Sequence, residues 1–600
     1  MIKLSDYVIQ FIENLGVKHI FLLPGGGSMH LVDSVGKSEK LDYVCNLHEQ
    51  ACAIAADAYG QYTNNLGVAL VTTGPGGTNT ITGVAAAWLD STPMLIISGQ
   101  VKRADMVGER GIRQMGFQEI NIVSIVKTIT KYAITVTEPE KIRYHLEKAV
   151  SLAKNSRPGP VWIDIPLDVQ AMMIDEEQLI GFEEELNEQI NQDKVNKKVR
   201  QAIQLLNQSE RPVMLVGNGV RLADGIKGLL GLIDLLQIPV LTTWKAIDFL
   251  PEDHPFFVGR PGAVGQRGAN FTQQNSDFIL IIGARLDFGQ TGYNHKNFAR
   301  AAKKVIVDID PNEIKKLDMP IEIPICCDAK MFIRDFIKQK NKIKPIHRTN
   351  WLKKCKEWQT KYPVILKKYW KQKKYVNNYV LIDVLSDEMS ENDLLVSGSS
   401  GASSEVTMQA FRVKKGQRIF NSEGLGPMGF GIPASIGGCI ASGRKRTVCI
   451  DGDGGFYMNV QDLETVKRLN LPIKFFVLNN QGYASIRNTQ NSYFEGRYVA
   501  SDRTSGLTLP NTRKIAGAFG ISFIQITNHK SIREKVREVL NIEGPVICEV
   551  ILPFEHVTAP KLSSYQKKDG SFVSKPLEDL WPFLDREEFK ANMIVKPREE

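Results

Sequence analysis

The sequence predicts an α/β fold in which three doubly wound parallel-sheet domains follow one another along the chain. The chain has 600 residues, which is too many for a single hydrophobic core, so about two to four domains are expected. Short apolar runs alternate with helical patterns in three segments, which is typical of parallel sheets covered by helices on both faces. Charge-dense stretches at 175–198 and 338–374 separate the three segments.

The first domain is predicted to span residues 1–170. Its opening segment, MIKLSDYVIQFIENLG, has the spacing of an amphipathic helix and contains acidic residues, so it is not typical of a signal peptide. The runs GVKHIFLLPGGG, GVALVTTGPGG and PMLIISGQ are predicted to be strands that lead into loops. A helical stretch, HEQACAIAADAYGQY, lies between the first two, and the domain closes at GPVWIDIPLDV.

The second and third domains show the same alternation. Residues 196–335 contain the predicted strands RPVMLVGNGV, SDFILIIGARL and KKVIVDIDP, and the stretch before them, at 175–198, is predicted to be a linker. Residues 375–555 contain the predicted strands LLVSGSS, RTVCIDGDG and IKFFVLNN. The tail, residues 556–600, is polar and carries several prolines, so we expect an ordered extension over the surface.

Composition and charge argue against two kinds of partner. The hydrophobic fraction is 43%, and no run of about 18 apolar residues occurs, so no membrane span is expected. The net charge of +9 is most concentrated at 338–374, where Trp and Tyr alternate with Lys. Nucleic-acid binding is one interpretation of that stretch. A solvated helical connector is the favoured one, so no nucleic-acid partner is expected.

The eight cysteines lack the spacing of metal ligands. Cys326 and Cys327 are adjacent, which suits neither a CxxC site nor an ordinary disulfide. Reduced thiols in a cytoplasmic protein are the simplest interpretation.

The strongest functional signal is the segment GDGGFYMNVQDLETVKRLNLPIKFFVLNNQGY, from Gly452 to Tyr483. It contains a strand, a Gly-Asp-Gly turn, a helix, a second strand and then Asn-Asn, which is a suitable length for one βαβ crossover. In such a unit both strands end at the same edge of the sheet, where α/β proteins bind ligands. We therefore expect Asp453 and Asn480 to meet at that edge.

The residue types at this edge suit a magnesium ion and a phosphate group. Asp453 supplies an anionic oxygen, Asn480 an amide oxygen and the backbone of Gly482 a third, which leaves octahedral positions for phosphate and water. Gly454 and Gly455 let the backbone approach phosphate and begin a helix with free N–H groups. The alternative is a plain turn between strand and helix, and the Asn-Asn pair at this distance argues against it.

This segment resembles the diphosphate-binding motif of thiamine-diphosphate-dependent enzymes, and within them it is most similar to the large subunit of acetolactate synthase. The resemblance covers roughly Ser5 to Pro553 and implies a pyrimidine-binding, a middle and a diphosphate-binding domain. Further matching segments are LPGGGSMHL at 23–31, LHEQACAIAADAYGQYT at 47–63, TTGPGGTNTITGVAAAWLDSTPMLIISGQV, GFQE at 116–119 and GLGPMGFGIPASIGG at 424–438.

The resemblance implies a set of site residues. The catalytic residues that it implies are Glu49, Gly26 and Gln118. The residues that it implies for thiamine diphosphate are Pro24, Gly25, Gly74, Gly401, Ser403, Ser404, Gly426, Met428, Gly452, Asp453, Gly454, Gly455, Asn480, Gly482 and Tyr483, of which Asp453, Asn480 and Gly482 hold Mg²⁺. The residues expected at the substrate are Gly27, Phe117, Ser485, Ile486 and Thr489.

Glu49 is the residue on which the implied chemistry depends most. Its neighbours Ala51, Ala53 and Ile54 are apolar, so its helix is expected to be buried and its carboxylate to need a partner. By resemblance, Glu49 hydrogen-bonds N1′ of the aminopyrimidine and so helps the cofactor to lose its C2 proton. Met428 is similar to the bulky residue that holds the cofactor in a bent shape.

The sequence departs from the family in the loop that begins the third domain and on the acceptor side. Acetolactate synthases have Gly-Gln-His-Gln where this chain has Gly401-Ala402-Ser403-Ser404, whose hydroxyls can still donate to phosphate. They have Met, Val and Trp where this chain has Ser485, Ile486 and Thr489. Loss of the Trp opens space for an acceptor larger than pyruvate.

The run around these positions is polar. The side chains of Ser485, Arg487, Asn488 and Thr489 are expected to donate hydrogen bonds to a ligand with hydroxyls or phosphates, and Arg487 would suit a diphosphate. The alternative is that these residues face solvent on a loop. The stretch GYASIRNTQNSYFEGRYVASDRTSGLTLP and the tail GSFVSKPLEDLWPF are similar to acetolactate-synthase-like proteins of surface-polysaccharide gene clusters. Some of those proteins add an acetyl unit to a keto-sugar nucleotide.

The middle domain resembles the FAD-binding domain of acetolactate synthases. GARLD at 283–287 and VDIDPNEI at 307–314 are similar to its flavin-binding stretches, which implies FAD contacts at Gly217, Gly283, Arg285 and Asp310. The family's next Asp and Arg are replaced by Phe288 and Gly289, and its GMHG is GRPG at 259–262. If FAD binds, it is expected to be structural, because decarboxylation with ligation involves no net redox change.

The function implied is decarboxylation of a 2-oxo acid, pyruvate in the family, with carboligation to a carbonyl acceptor by an acetolactate-synthase-like transferase or lyase. Three alternatives remain open: a carboligase that uses a keto-sugar nucleotide, an enzyme of the pyruvate-oxidase type, and a non-catalytic regulatory protein that kept the fold. The family places the active site between subunits, so a homodimer or a dimer of dimers is expected in the cytoplasm.

Overall fold

The computed structural model describes residues 1–183, 192–345, 348–398, 401–567 and 569–598. It contains three six-stranded sheets, and every strand pair within them is parallel. Helices cover both faces of each sheet, so the predicted fold class is confirmed. Within the described residues, no helix combines the length and the apolar character that crossing a membrane requires.

The first sheet has the strand order β3-β2-β4-β5-β7-β6. Its central strands β4, β5 and β7 are buried along their whole length, because helices shield both faces and the strands are runs of apolar residues. The elements are β1 (Ile2–Lys3), α1 (Leu4–Asn14), β2 (His19–Leu22), α2 (Met29–Lys37), β3 (Asp42–Cys45), α3 (Glu49–Thr63), β4 (Gly67–Val71), α4 (Pro75–Asp90), β5 (Met94–Gln100), α5 (Ile122–Val126), β6 (Tyr132–Thr135), α6 (Ile142–Lys154), β7 (Pro160–Pro166), α7 (Leu167–Ala171) and β8 (Met173–Ile174).

The second sheet has the order β11-β10-β9-β12-β13-β14, so the chain moves outward in one direction from β9 and in the other from β12. The gap between β9 and β12 is the switch point at which such sheets bind ligands. The elements are α8 (Gln192–Gln208), β9 (Pro212–Val216), α9 (Gly219–Leu222), α10 (Ile226–Leu236), β10 (Val240–Thr242), β11 (Phe257–Gly259), α11 (Arg267–Gln274), β12 (Phe278–Ile282), α12 (Phe288–Thr291), β13 (Lys303–Asp308), α13 (Pro311–Lys315), β14 (Ile323–Cys326), α14 (Ala329–Lys338) and, in the connector, α15 (Thr349–Lys361).

The third sheet has the order β16-β15-β17-β18-β20-β19. Its helix α18 packs on α3 of the first domain, and one buried apolar cluster extends from the first domain into the third. The elements are α16 (Asn378–Glu388), β15 (Leu394–Ser397), α17 (Ala402–Ala410), β16 (Arg418–Phe420), α18 (Gly431–Ala441), β17 (Thr447–Gly452), α19 (Asp453–Phe456), α20 (Leu463–Arg468), β18 (Ile473–Asn479), α21 (Ala484–Tyr493), α22 (Thr512–Ala518), β19 (Ser522–Ile526), α23 (Ile532–Asn541) and β20 (Val546–Ile551).

The tail contains the hairpin β21 (Ser564–Gln566) and β22 (Phe572–Ser574), followed by α24 (Arg586–Ala591). It continues from the third domain onto the middle one, where Gln274 Nε2 donates to the buried Glu578 carboxylate (2.8 Å). Trp358 Nε1 of the connector donates to Asn592 Oδ1 (2.8 Å). These contacts seal the tail against α11 and α15.

Two sequence-based expectations need correction. The predicted linker at 175–198 ends in helix, because α8 begins at Gln192 and buries Val195 against the middle sheet; residues 184–191 lie outside the described part. The basic connector is helical at α15, but it is not solvated all round. Trp351 and Trp358 are 5% and 1% exposed, so these rings have no free face on which a base could stack.

A buried ion cluster joins the three domains. The Asp248 carboxylate, 0% exposed, lies 2.7 Å from Arg221 Nη2 and 2.5 Å from Arg418 Nη1. Arg418 also donates to the backbone oxygen of Gln61 in the first domain. Burial alone would raise the pKa of Asp248, but the charges of Arg221 and Arg418 outweigh it and hold the pKa at about 2. The carboxylate is therefore ionised in the folded protein.

We expect Asp248→Asn to lower the free energy of unfolding by about 2–3 kcal/mol, because two partly buried arginines lose their counter-charge. The wild-type contribution is present above the unfolded-state pKa of about 4 and is lost as the pH falls towards about 2. Urea unfolding at neutral pH measures the difference. Asp234→Asn, at an exposed aspartate of α10, is the control. Equal stability of the two variants would contradict the assignment.

Candidate active site

The Gly-Asp-Gly turn and the Asn-Asn pair meet at the edge of the third sheet. Strands β17 and β18 are paired in parallel, with Gly452 opposite Leu478, so both end at that edge. Asp453 opens α19 and is 4% exposed, and its Oδ2 accepts a hydrogen bond from the backbone nitrogen of Gly482 (3.1 Å). Asn480 is 5% exposed, and its Oδ1 is a buried oxygen with no partner.

The electrostatics of this edge favour a cation. Burial raises the pKa of Asp453 to about 7, although backbone donors at Gly482 and Gln481 lower it in part. A buried carboxyl group beside the unpartnered oxygen of Asn480 is a donor set that a cation would satisfy. These residues fit a divalent cation with oxygen ligands. In the described residues no group of three or more His, Cys, Asp or Glu side chains offers a different kind of metal site.

Glycines and a tyrosine shape the backbone around this edge. Gly482 has a φ of +126°, and a Cβ there would collide with the Ser501 carbonyl oxygen, so only glycine fits. The Tyr483 ring lies against Gly454, beside Gly455 in α19.

The amino end of α17 lies beside this edge. Gly401 precedes the helix, and Ser403 and Ser404 are buried in its first turn, whose N–H groups point out of the helix end. The position of Ser403, Ser404 and these N–H groups fits the expected contact with a phosphate group.

Glu49 is the first residue of α3 and is 7% exposed. Asn79 Nδ2 of α4 donates to its Oε2 (2.9 Å), and Gly76 lies against its Oε1. The expectation that this buried carboxylate needs a partner is therefore met by Asn79. Asn79 could not be singled out from its sequence context, because an Asn within TTGPGGTNT looks like an ordinary residue of a helix start.

The other predicted residues of the first domain gather around the carboxyl ends of β2 and β4. Pro24, Gly25 and Gly26 follow β2, and Gly27 N donates to Thr72 Oγ1 after β4 (3.1 Å). Gly74 lies directly against the backbone of Gln118, and Phe117 is 86% exposed. Thr72 and its neighbour Thr73, which bonds Gln100 Oε1 (2.9 Å), were missed by the sequence reasoning.

Within the described residues, no hydrogen bond or ion pair joins Glu49 to Asp453 or Asn480. The helix that carries Glu49 contacts a different part of the third domain, where Asn459 Nδ2 donates to Gln50 Oε1 (3.0 Å). Met428 lies half-buried between the turns at Gly426 and Gly429. One copy of the chain therefore holds both halves of the candidate site without joining them.

The run after Gly482 forms α21, and its residues divide into two groups. Ser485 and Thr489 line a polar cavity, whereas Ile486 is 48% exposed and lies outside it. Arg487 does not face a substrate, contrary to expectation. It is 2% exposed, donates to the backbone oxygens of Asn480, Gln481, Ser501 and Phe554, and lies 4.0 Å from the Phe554 ring centroid. Its guanidinium is used to hold the loop.

A second cavity, of about 370 Å³, lies at the switch point of the middle sheet. Gly283 and Arg285 line it, and Gly217 packs behind them, where its nitrogen donates to Ile282 O (3.0 Å). Asp310 does not line the cavity; it caps α13 and pairs with Arg157 (3.2 Å). Asp308, two residues earlier in the chain, lines the cavity instead.

Three regions of the chain match the thiamine pyrophosphate enzyme family: the N-terminal TPP binding domain over residues 2–125, the central domain over 199–336 and the C-terminal TPP binding domain over 399–550. The chain is 32% identical to "Acetolactate synthase 1, chloroplastic" of Nicotiana tabacum over 574 residues, which cover 94% of this chain and 83% of that protein. It is 33% identical to "Acetolactate synthase large subunit" of Porphyra purpurea over 553 residues, 89% of this chain and 90% of that one. The chain therefore belongs to the thiamine pyrophosphate enzyme family and is a thiamine-diphosphate-dependent enzyme.

Proposed function

We propose that this enzyme decarboxylates a 2-oxo acid, pyruvate, and joins the remaining acyl unit to a carbonyl acceptor. The observation that carries the proposal is the edge of the third sheet, where Asp453 and the unpartnered oxygen of Asn480 lie together. The acetolactate synthases named above support the choice of pyruvate.

The chain's own residues bind and position the reactants in this proposal. Asp453, Asn480 and the backbone of Gly482 would hold Mg²⁺, and the N–H groups that begin α17 and α19 would bind the diphosphate. When bound, thiamine diphosphate supplies the carbon nucleophile and the electron sink. The 2-oxo acid loses CO2, a carbon–carbon bond forms to the acceptor carbonyl, and the acceptor oxygen takes up a proton, so no external oxidant is consumed.

Glu49 would exchange a proton with N1′ of the aminopyrimidine. Its position supports this role, because Asn79 fixes one carboxylate oxygen and little water reaches the other. Neighbouring Gly74 and Gln118 close the same edge of the first sheet. A carboxylate held in this way by a neutral donor keeps its orientation and its ability to accept a proton.

We propose that a second copy of the chain completes the site. The support is that no hydrogen bond joins Glu49 to Asp453 within one copy, while large apolar side chains near the two half-sites are exposed. Examples are Phe117 at 86%, Met458 at 48% and Leu425 at 41% exposed. An interface with a second copy would cover these side chains.

The reaction can be tested by incubating the protein with pyruvate, thiamine diphosphate and Mg²⁺, with and without added carbonyl acceptors, and identifying products by mass spectrometry. We expect CO2 release and a 2-hydroxy ketone that contains the acyl unit. Release of acetaldehyde alone, or electron transfer to an added acceptor dye, would contradict ligation. No turnover with any 2-oxo acid would contradict the proposed donor.

We further propose that the middle-domain cavity holds FAD as a structural cofactor. It lies at the switch point where α/β sheets bind nucleotides, and its lining combines glycines, the cation of Arg285 and the carboxylate of Asp308. Glycines allow close approach, Arg suits phosphate, and a carboxylate at a strand end suits ribose hydroxyls.

The purified protein is expected to be yellow and to release FAD on denaturation, in a ratio near one per chain by chromatography. Arg285→Met should lower the FAD content, because it removes a cation from the cavity. Lys227→Met, at an exposed residue of the same domain, is the control. A colourless protein that binds no added FAD would contradict the assignment.

A further inference from the structure

The cavity lined by Ser485 and Thr489 is large and polar. Its volume is about 680 Å³, compared with about 370 Å³ for the middle-domain cavity, and it lies within the range of about 300–1,000 Å³ that is usual for organic ligands. Its walls are the amino end of α17, the exposed face of α21 and the tail from His556 to Gln566. Pyruvate as the acceptor would leave most of it unfilled.

The cavity adjoins the diphosphate edge of the third domain. Gly401, which precedes α17, has a φ of +63°, and a Cβ there would collide with the Ser485 hydroxyl oxygen. Ser485 lies three residues after Gly482, whose nitrogen bonds Asp453. A ligand in the cavity would therefore reach the proposed reaction centre past Ser485.

The tail wall is fixed by hydrogen bonds to the domains beneath it. Asn488 Nδ2 donates to the backbone oxygen of His556 (2.8 Å), and Thr558 Oγ1 donates to Glu405 Oε2 (2.6 Å). Ala559 N donates to the Tyr379 hydroxyl (2.8 Å). This segment of the tail is thus a built wall of the cavity rather than a loose extension.

Two polar groups on this wall lack partners. His556 is 8% exposed and its Nε2 has no hydrogen-bond partner, which is costly for a buried ring nitrogen. Burial lowers the pKa of His556 to about 4, so the ring is neutral near pH 7 and can donate through Nε2. Lys561 also lines the cavity, and no carboxylate in the described part of the chain forms an ion pair with it.

The donor set suits an anion with several oxygens. A lysine ammonium is a point charge of the kind that binds phosphate. The Lys561 ammonium, the His556 ring and the hydroxyl of Ser563 offer separate donors to the several oxygens of a phosphate. Glu405 has a second carboxylate oxygen that can accept from a ligand hydroxyl.

We propose that the C-terminal tail builds the acceptor subsite, and that this subsite takes a phosphate-bearing, hydroxylated carbonyl compound whose phosphate is bound by Lys561 and His556. The inference rests on the proposed carboligation, because the acceptor is defined by that reaction. The inference adds to that reaction the class of acceptor and the residues that select this acceptor.

The test compares matched acceptors in the holoenzyme with pyruvate as donor: D-glyceraldehyde 3-phosphate and D-glyceraldehyde. We expect kcat/KM to be about 10-fold or more higher for the phosphorylated acceptor, the scale of one charged hydrogen bond. Lys561→Met should reduce this ratio to near 1, and Lys567→Met, at an exposed lysine of the same tail, should keep it. Equal use of both acceptors by the wild type, or an unchanged ratio in Lys561→Met, would overturn the proposal.

A binding measurement separates this inference from the proposed reaction. Calorimetry with glycerol 3-phosphate and glycerol needs no turnover. We expect only glycerol 3-phosphate to bind, and we expect Lys561→Met to lower its affinity. Thr489→Trp, at an exposed position of α21, should weaken it also by filling the cavity. Binding of glycerol 3-phosphate without any CO2 release from pyruvate would count against the reaction and for the subsite. Absence of binding with normal CO2 release would overturn the subsite alone.

Discussion

Replacing Glu49 by Gln is expected to lower kcat by about 10² to 10⁴-fold, the usual contribution of a positioned acid or base. The amide keeps the shape of the side chain and can still bond to Asn79, but it cannot take up a proton. Because the substitution changes no volume in a buried site, thiamine diphosphate binding should be retained. Steady-state CO2 release and calorimetric titration of the cofactor measure the two properties separately.

Two comparisons make the Glu49 result specific. Glu140→Gln alters an exposed glutamate of the same domain and should keep wild-type turnover. Asn79→Ala removes the donor to Glu49 Oε2 and should give a smaller loss than Glu49→Gln, because the carboxylate remains while its orientation is released. Near-normal turnover in Glu49→Gln or Glu49→Ala would remove the central claim about proton transfer.

Asp453→Ala is expected to weaken magnesium-dependent binding of thiamine diphosphate by about 10²-fold or more. The reason is that Asp453 is the one charged ligand in the proposed set. Even the loss of a residue that only hydrogen-bonds a metal ligand commonly lowers metal affinity by about 10–100-fold. Calorimetric titration with thiamine diphosphate at fixed Mg²⁺ gives the affinity. Unchanged affinity would rule out Asp453 as a metal ligand.

The isosteric variant Asp453→Asn tests whether a loss of cofactor binding in Asp453→Ala reflects misfolding. Burial raises the pKa of Asp453, so the ionised carboxylate is less stable in the folded apoprotein than in water. Removing the charge removes that cost, and the thermal midpoint of the apoprotein should not fall. The stabilisation that cofactor and Mg²⁺ give to the wild type should nevertheless disappear in this variant. A variant that melts early without ligand would point to a structural role.

The alternation of apolar runs and helices was enough to predict most of the buried strands. All nine strands predicted from apolar runs occur, among them β4, β5 and β18, because a parallel strand shielded on both faces must be a continuous apolar run. The edge strands of the three sheets were missed, and so were the buried strands β10 and β20. In β3 two of four residues are exposed, and so short a half-exposed segment has no distinctive pattern.

The candidate site was only partly predictable, since a motif reports the residues on one stretch of chain. The spacing of the Gly-Asp-Gly and Asn-Asn segments predicted that Asp453 and Asn480 would meet, because one crossover joins two adjacent strands. It could not reveal Asn79 or Thr72, whose roles depend on which loops pack together. The polar character of α21 was visible, but the direction of Arg487 was not, since it depends on the carbonyls that surround it.

By itself the sequence determined the parallel-sheet class, nine of the strands and the meeting of Asp453 with Asn480, because these depend on local periodicity and on one short crossover. Only the tertiary structure decided what covers the sheet edge where these two residues meet. The tail brings His556 and Lys561 to the face of α21. Four elements, α22, β19, α23 and β20, separate α21 from the tail along the chain. No periodicity connects such distant segments, because their contact is chosen by burial and by hydrogen bonds such as that from Asn488 to the backbone of His556.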